Sequence, residues 1–381
     1  MVSFVVLVFI IAVSCSAITI KTLVGYNESS LFFKLFVSFI VLLGWFAPIW
    51  VNALRNINSL PTQVYGFIEQ SGYFLFGAMF LLFCVLLLRD ICWFSAYGLS
   101  KWFHFYVIDP KDIQMLLKAN LVSVFLAGTL SFYALYEGLK IPKIKEIEIS
   151  SPKITKETTV LLVTDLHIGR GTSTASIRKT IDAMNARNSD VIVLVGDIID
   201  DTPAYMKPQL QELSRLRAKH GVYAALGNHE FYRGQTATTA ALFEAGFKVL
   251  IGNGEKVKGT DIFMMGITDY GTALRLGQKV SIENILKHTQ PEDYKILLSH
   301  TPHFIDTLKN NEIDIQFSGH THGGQIFPFH IGVIMANHYL AGLYDVGEMK
   351  LFVSRGAGTW GPPMRLLAPS DVAVIRLKPQ L

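Results

Sequence analysis

Residues 1–137 carry only 13 Asp, Glu, Lys or Arg, whereas the remaining 244 residues carry 51. A segment so poor in charge cannot fold with an ordinary wetted surface, and its apolar residues fall into runs. Val2–Ile20 and Leu35–Leu54 hold no charge, Gly72–Leu88 stops at Arg89-Asp90, and Ala119–Tyr136 is weaker, with Asn120 and several Ser and Thr. A bilayer core needs about 20 apolar residues at 1.5 Å each, and the third run is at the short limit. Four runs in succession, separated by short polar loops, point to an α-helical membrane domain of about four transmembrane helices over residues 1–138. Val2–Ile20 lacks the basic start of a cleaved signal, so it is read as a helix. Ile91–Ile108, rich in aromatics, suits a helix lying flat at the interface, with a fifth buried helix as the alternative.

The protein is thus expected to be integral to a membrane, with the lipid bilayer as partner and a bacterial inner (cell) membrane as its setting. Basic residues flanking the spans count six against six, so the positive-inside rule does not decide the side. The cytoplasm is kept as a weak preference, and the oligomeric state is not readable.

Beyond the boundary at Gly138–Pro152, composition turns globular, and one domain is expected over residues 150–381. Strand patterns occur at Lys143–Ser150, Val160–Thr164, Val191–Val195, Val222–Leu226, Val249–Ile251, Ile262–Met265, Ile296–Leu298, Ile313–Phe317, Lys350–Val353 and Val372–Leu377. Helical patterns at Ala175–Ala186, Pro208–Ala218, Thr236–Ala245, Ile282–Lys287 and Pro302–Lys309 alternate with them. Alternation of β and α predicts sheet covered by helices; the last strands lack helices between them, which favours mixed or paired sheets. The three cysteines, Cys15, Cys84 and Cys92, all lie in the apolar part, so the second domain has no disulfide and no thiolate chemistry. A net charge of +4 without any Lys/Arg-rich tract gives no case for nucleic acid.

Polar groups gather just past the ends of five predicted strands: Asp165 and His167, Asp197, Asn228 and His229, His300, then His320 and His322. Any one of them alone reads best as a turn residue or cap; five such coincidences do not. In α/β sheets that edge is where ligands bind. Carboxylate, amide oxygen and neutral imidazole are ligands of hard or borderline divalent metals. Both pairs, Asp165/His167 and His320/His322, place their side chains on one face of an extended segment. Seven ligands exceed one ion's needs and suit two ions sharing a carboxylate, as in many phosphoester hydrolases. Gly196, Gly227, Gly319, Gly323 and Gly324 stand beside them.

The blocks Asp165-Leu166-His167, Gly196-Asp197-Ile198-Ile199-Asp200, Gly227-Asn228-His229-Glu230, Ser299-His300 and Gly319-His320-Thr321-His322 together resemble the calcineurin-like metallophosphoesterase superfamily. The strings His320-Thr321-His322-Gly323-Gly324-Gln325 and Ser354-Arg355-Gly356-Ala357-Gly358-Thr359-Trp360-Gly361-Pro362-Pro363 resemble its membrane-associated YkuE-like branch. The resemblance implies a four-layer α/β/β/α sandwich and two divalent ions (Mn, Fe, Zn or Co). It implies one ion on Asp165, His167, Asp197 and His322, and a second on Asp197, Asn228, His300 and His320. His229 would face the phosphate and either donate to the leaving oxygen or stabilise the equatorial charge, with Asp200 orienting it. A hydroxide held between the ions would be the nucleophile.

The expected reaction is hydrolysis of a phosphodiester, pyrophosphate or phosphomonoester on a lipid-linked substrate, since a membrane anchor adjoins a phosphoesterase site. The specific expectation is the UDP-2,3-diacylglucosamine pyrophosphate bond of lipid A synthesis. Alternatives are a broad-specificity phosphodiesterase or phosphatase, and a membrane sensor or transport-associated protein with a regulatory phosphoesterase domain. Few ionisable residues in the spans disfavour transport. Arg355 and Arg365 are candidates for a phosphate or headgroup clamp. The apolar stretch from Ile326 to Tyr344 reads either as a buried β-hairpin or core segment, or as an apolar wall beside the metals that holds an acyl chain or dips into the bilayer.

Overall fold

A computed structural model describes residues 2–26, 29–55, 57, 60–308 and 313–380. Two compact units emerge: Met1–Glu137 with Gly361–Met364, and Gly138–Trp360 with Arg365–Leu381.

The first unit is helical. Among the described residues, two helices are long and apolar enough to cross a membrane, Thr62–Phe103 and Ile113–Gly138. The expected span Leu35–Leu54 is instead two helices, Leu31–Trp45 and Ala47–Arg55, meeting at 60°, and counts as a third span only if the pair acts as one. Pro48 explains the break. It has no N–H to give the Gly44 carbonyl, and its ring would collide with that turn. The Phe46 N–H turns back to Gly44 and Leu42 instead. The first run is helical over Val2–Val24; its described apolar stretch is Phe9–Val24. Among the described residues, the expected four spans are met by two, or three with the bent pair.

The flat interfacial helix is also corrected. Gly72–Leu88 and the aromatic stretch beyond it form one helix of 42 residues that runs through Arg89-Asp90. It is about 63 Å long, twice a hydrocarbon core. The charges are accommodated because they are partnered. Arg89 donates to Asp90 Oδ1 at 2.6 Å and to Asn120 Oδ1 at 2.5 Å, and Asn120 donates to the Thr22 carbonyl at 2.8 Å. Asn120, which weakened the fourth run as a span, thus ties three helices together.

Among its described residues the second unit contains twelve strands: β1 Lys143–Ser151, β2 Thr158–Val163, β3 Val191–Val195, β4 Val222–Ala225, β5 Lys248–Leu250, β6 Asn253–Lys256, β7 Ile262–Gly266, β8 Tyr294–Leu298, β9 Ile315–Ser318, β10 Gly342–Val346, β11 Met349–Val353 and β12 Asp371–Pro379. They form two six-stranded mixed sheets, ordered β1-β12-β2-β3-β4-β5 and β10-β11-β9-β8-β7-β6. Period-two alternation builds the layers. Val160, Leu162, Val191, Val193 and Val195 point into a core shared with Ile262, Met264, Ile296, Leu298 and Phe317 of the other sheet. Leu161, Val163, Ile192 and Leu194 point outward onto Ile177, Ile181 and Leu213 of the flanking helices. A third apolar layer covers the far face of the second sheet, with Ile282, Ile285, Phe304 and Ile305. This is the expected α/β/β/α sandwich.

β1 lies ahead of the expected domain start at residue 150, yet it pairs with β12 along its whole length and belongs to the sheet. β6 and β10 carry no clear strand pattern in the sequence. Pro302–Thr307 is a 3₁₀ helix; Lys309, the expected end of that element, lies outside the described residues.

Candidate metal centre

Every polar group expected at a strand end is found there, and the loops after β2, β3, β4, β8 and β9 bring them together. Asp165, His167 and His322 offer ligand atoms within 4.8 Å of one another, as do Asp197, His300 and His320, and also His167, Asp197 and His229. Asp197 Oδ2 lies 3.2 Å from His300 Nε2, 3.8 Å from His167 Nε2 and 3.9 Å from His229 Nε2. Asp165 Oδ1 lies 3.5 Å from His322 Nε2 and 3.9 Å from His300 Nε2. The imidazoles of His167 and His322 face each other Nε2 to Nε2 at 3.0 Å.

The loops reach this convergence at a local cost. Asp165, His167, Asp197, His320 and His322 all have φ between +47° and +69°. A left-handed conformation costs a non-glycine residue about 1 kcal/mol or more, and it persists where the surroundings over-determine it. Backbone bonds do so here: the Asp165 N–H donates to the Gly196 carbonyl and the His167 N–H to the Asp197 carbonyl. Gly227 and Gly319 permit the approach, because a Cβ at either would overlap the carboxylate of Asp197 or Asp165.

The donor set fits a metal on an observation of its own. His300 Nδ1 is 2.9 Å from the Val195 carbonyl, which can only accept. The Nδ1 proton is thereby fixed, and in the neutral ring Nε2 presents a lone pair toward the Asp197 carboxylate. His300 Nε2 and Asn228 Oδ1 are buried without a hydrogen-bond partner. With Nδ1 committed to a carbonyl, the edge of His300 that faces the buried Asp197 carboxylate must carry a cation, a proton in the metal-free protein or a metal ion in its place, and the unpartnered Asn228 amide oxygen offers a further donor. Oxygen and imidazole donors without thiolate suit Mn, Fe, Zn or Co.

The electrostatics agree. Burial alone would raise the Asp197 carboxyl, but His300, His229 and His167 hold it well below the usual range. His300 moves the other way: burial opposes its charge, yet Asp197 and Asp165 push it well above the ordinary histidine value. Burial and the neighbouring His167 and Arg365 hold His322 low, in the neutral form a ligand needs. Without metal, His300 is therefore protonated at neutral pH, and uptake of a cation must expel that proton. Affinity should rise with pH and fall as pH is lowered. Calorimetry of Mn²⁺ binding in two buffers of different ionisation enthalpy should report release of about one proton or more; none released would contradict this protonation state.

Asp200 has a wider part than expected. Its Oδ1 accepts from His167 Nδ1 at 2.7 Å and also stands 2.7 Å from His229 Nδ1, off the line of a well-directed bond. One carboxylate thus orients both a proposed ligand and the proposed acid. Burial would lower His229, but Asp197 and Asp200 raise it to about 9. Tyr232 and Trp360 flank its ring at 5.4 and 6.4 Å.

The clamp expectation fails for Arg365. It is wholly buried, and its guanidinium donates to the carbonyls of Arg355, Gly356, Gly358, His322 and Ala368. It frames the loop behind His322. Arg355 is part-exposed, with Nη1 3.5 Å from Asp371 Oδ2, an ordinary ion pair. The stretch after His322 is not a buried hairpin: His330–Asn337 is a helix with no buried residue.

Glu230 closes the Gly227–Glu230 block, and its sequence position alone suggested no role in the site. Its buried carboxylate accepts from the N–H groups of Asp197, Ile198, Ile199 and Gly227 at 2.7–3.1 Å. Burial and the adjacent Asp197 raise it to about 7. An acid three residues after a glycine at a helix start was the available signal. Glu230→Ala should cost about 2 kcal/mol or more, because buried donors lose their acceptor. Denaturant unfolding would measure this, and metal titration should show weaker binding through the displaced Asp197 loop.

These features define a metal-centred hydrolase built on a double-sheet sandwich. Residues 158–324 match the model of the calcineurin-like phosphoesterase family. An uncharacterized metallophosphoesterase of Helicobacter pylori is 32% identical over 97% of this chain and 99% of its own. The uncharacterized metallophosphoesterase YkuE of Bacillus subtilis is 30% identical over 58% of this chain and 78% of its own. A transmembrane protein with metallophosphoesterase domain from Danio rerio is 30% identical over 68% of this chain and 63% of its own. The chain belongs to the calcineurin-like metallophosphoesterases. It is a phosphoric ester hydrolase of a family that uses divalent metals, carried on apolar helices that mark a membrane protein.

Proposed function

We propose that this protein is a membrane-anchored, two-metal phosphoesterase acting on a lipid-linked phosphoester. The observation that carries the reading is the joining of a complete oxygen and imidazole donor set to helices apolar enough to span a bilayer. One ion is assigned to Asp165, His167, Asp197 and His322, and one to Asp197, Asn228, His300 and His320. Bound divalent ions supply Lewis acidity at phosphorus and lower the pKa of an attacking water. The chain's own residues do the rest. Asp197 sits where both donor groups meet. His229, held charged by Asp197 and Asp200, gives a proton to the departing oxygen. Glu230 fixes the Asp197 loop, and Arg365 backs the His322 loop.

The substrate is narrowed by tethering: an enzyme fixed in a bilayer meets lipid headgroups at high local concentration. UDP-2,3-diacylglucosamine remains the specific candidate, though no residue singles it out. The Helicobacter pylori and Bacillus subtilis relatives support a bacterial setting, and the name of the Danio rerio relative, a transmembrane protein, supports a membrane one.

The test uses the full chain reconstituted in phosphatidylcholine vesicles with Mn²⁺. It would be offered UDP-2,3-diacylglucosamine, other lipid-linked phosphoesters and soluble bis(4-nitrophenyl) phosphate. A higher kcat/KM on a lipid-linked ester supports the reading. Equal or higher kcat/KM on the soluble ester overturns the substrate class while leaving the hydrolase intact.

A further inference from the structure

The catalytic unit exposes an apolar surface that its chemistry does not use. Phe327, Phe329, Ile331, Ile334 and Met335 are exposed, Met335 at 78%. Ile326–Tyr344 runs for 19 residues without an Asp, Glu, Lys or Arg. Within it, helix His330–Asn337 buries no side chain. Single exposed apolar residues are normal; a contiguous set on a charge-free segment marks a surface meant to be covered.

The segment is an excursion from the metal loop itself. It leaves at Gln325, whose side chain bonds both backbone groups of Trp360. It returns at Leu340, whose carbonyl accepts from Thr321 Oγ1 at 2.6 Å, between His320 and His322. The Phe327 N–H is held by the Leu366 carbonyl. Leu367, the next residue, is 77% exposed. The base of the excursion is therefore pinned, and its apolar tip is presented outward.

We propose that Phe327–Met335 seats in the headgroup–acyl boundary of the bilayer and holds the mouth of the metal centre at the membrane surface. The occupant is lipid for two reasons. First, four residues, Leu139–Pro142, join helix Ile113–Gly138 to β1, at most about 18 Å of chain, so the catalytic unit works within reach of the bilayer. Second, a protein partner is ordinarily met by a charged or polar rim, whereas the segment has no charge to offer one. A helix lacking basic residues binds by apolar insertion, so seating should be insensitive to salt and to anionic lipid. This seating does not depend on the substrate being a lipid.

The test is photo-crosslinking of the full chain in phosphatidylcholine vesicles. A benzophenone side chain is carried at position 335 and, as a control, at exposed position 243. A phospholipid adduct at 335 and none at 243 is expected. An adduct to a second copy of the chain, or no lipid adduct at 335, overturns the seating. A second arm uses Ile331→Asp combined with Ile334→Asp. Its rate on a vesicle-embedded ester should fall on the order of tenfold, with kcat/KM on bis(4-nitrophenyl) phosphate unchanged. Equal losses on both, or no loss on either, would overturn the coupling of seat to site. Failure of the substrate panel with a positive adduct would instead remove the lipid substrate and keep the seat.

Discussion

Replacing Asp197 with alanine should abolish turnover and strip the protein of most of its metal. Its Oδ2 faces the Nε2 atoms of three imidazoles, at 3.2, 3.8 and 3.9 Å from His300, His167 and His229. Its Oδ1 accepts the His229 backbone N–H at 2.9 Å, which sets the loop after β4. Loss of this carboxylate removes a shared ligand and the counter-charge that keeps the surrounding imidazoles in place. Removing a residue that merely orients a ligand costs 10- to 100-fold in affinity or activity, so removing a shared ligand should exceed about 100-fold in each. Elemental analysis of the purified protein and hydrolysis of a soluble diester measure the two losses. Two equivalents of metal with near-normal turnover would sink the assignment of Asp197 as the bridge. Asp197→Asn sharpens the reading: it keeps the shape and the N–H contact but loses the charge, so it too should lose metal.

The catalytic unit was legible in the sequence because its signals are local. Strand β3 falls on Val191–Val195 as expected, since a five-residue apolar run between polar turns has one reading. The site was legible because a strand end fixes where the next side chain must be; the five ends converge because β2, β3 and β4 of one sheet and β8 and β9 of the other end on the same side of the sandwich. What escaped depends on three-dimensional neighbours. That Asp200 serves His167 as well as His229 follows from two loops meeting. That Arg365 is a frame and not a clamp follows from five carbonyls supplied by residues as far back as His322. In the membrane unit, charge was the misleading signal. Arg89-Asp90 looked like the end of a span, but Asn120, on another helix, satisfies Arg89, and the helix runs on to Phe103. Pro48 is plain in the sequence, but hydropathy averages over it and hides its consequence, a 60° bend within an otherwise adequate apolar run.

His229→Ala should lose on the order of 100-fold or more in turnover while metal content stays whole. The ring is placed as an acid and not as a mandatory ligand. Its Nδ1 stands 2.7 Å from Asp200 Oδ1, and Asp197 and Asp200 hold its proton up to about 9. The raised pKa favours the charged ring, which is lost as pH rises, so turnover should decline on an alkaline limb; cations held by Asp197 oppose its pull on the ring, so that limb should lie below the metal-free value. The alanine variant should lose the limb. A proton donor matters most when the departing oxygen is basic. The defect should therefore be large for alkyl phosphoesters and small for nitrophenyl esters, whose leaving groups need no proton. Measuring kcat across esters of graded leaving-group pKa, alongside metal content, separates this role from the alternative. That alternative has a geometric basis, since His229, His167 and Asp197 also lie within 4.8 Å of one another. If the variant loses metal and is equally slow on every ester, His229 is a ligand. If it keeps metal and its defect grows with leaving-group pKa, it is the acid, and Asp200→Asn should reproduce part of that trend by releasing the ring.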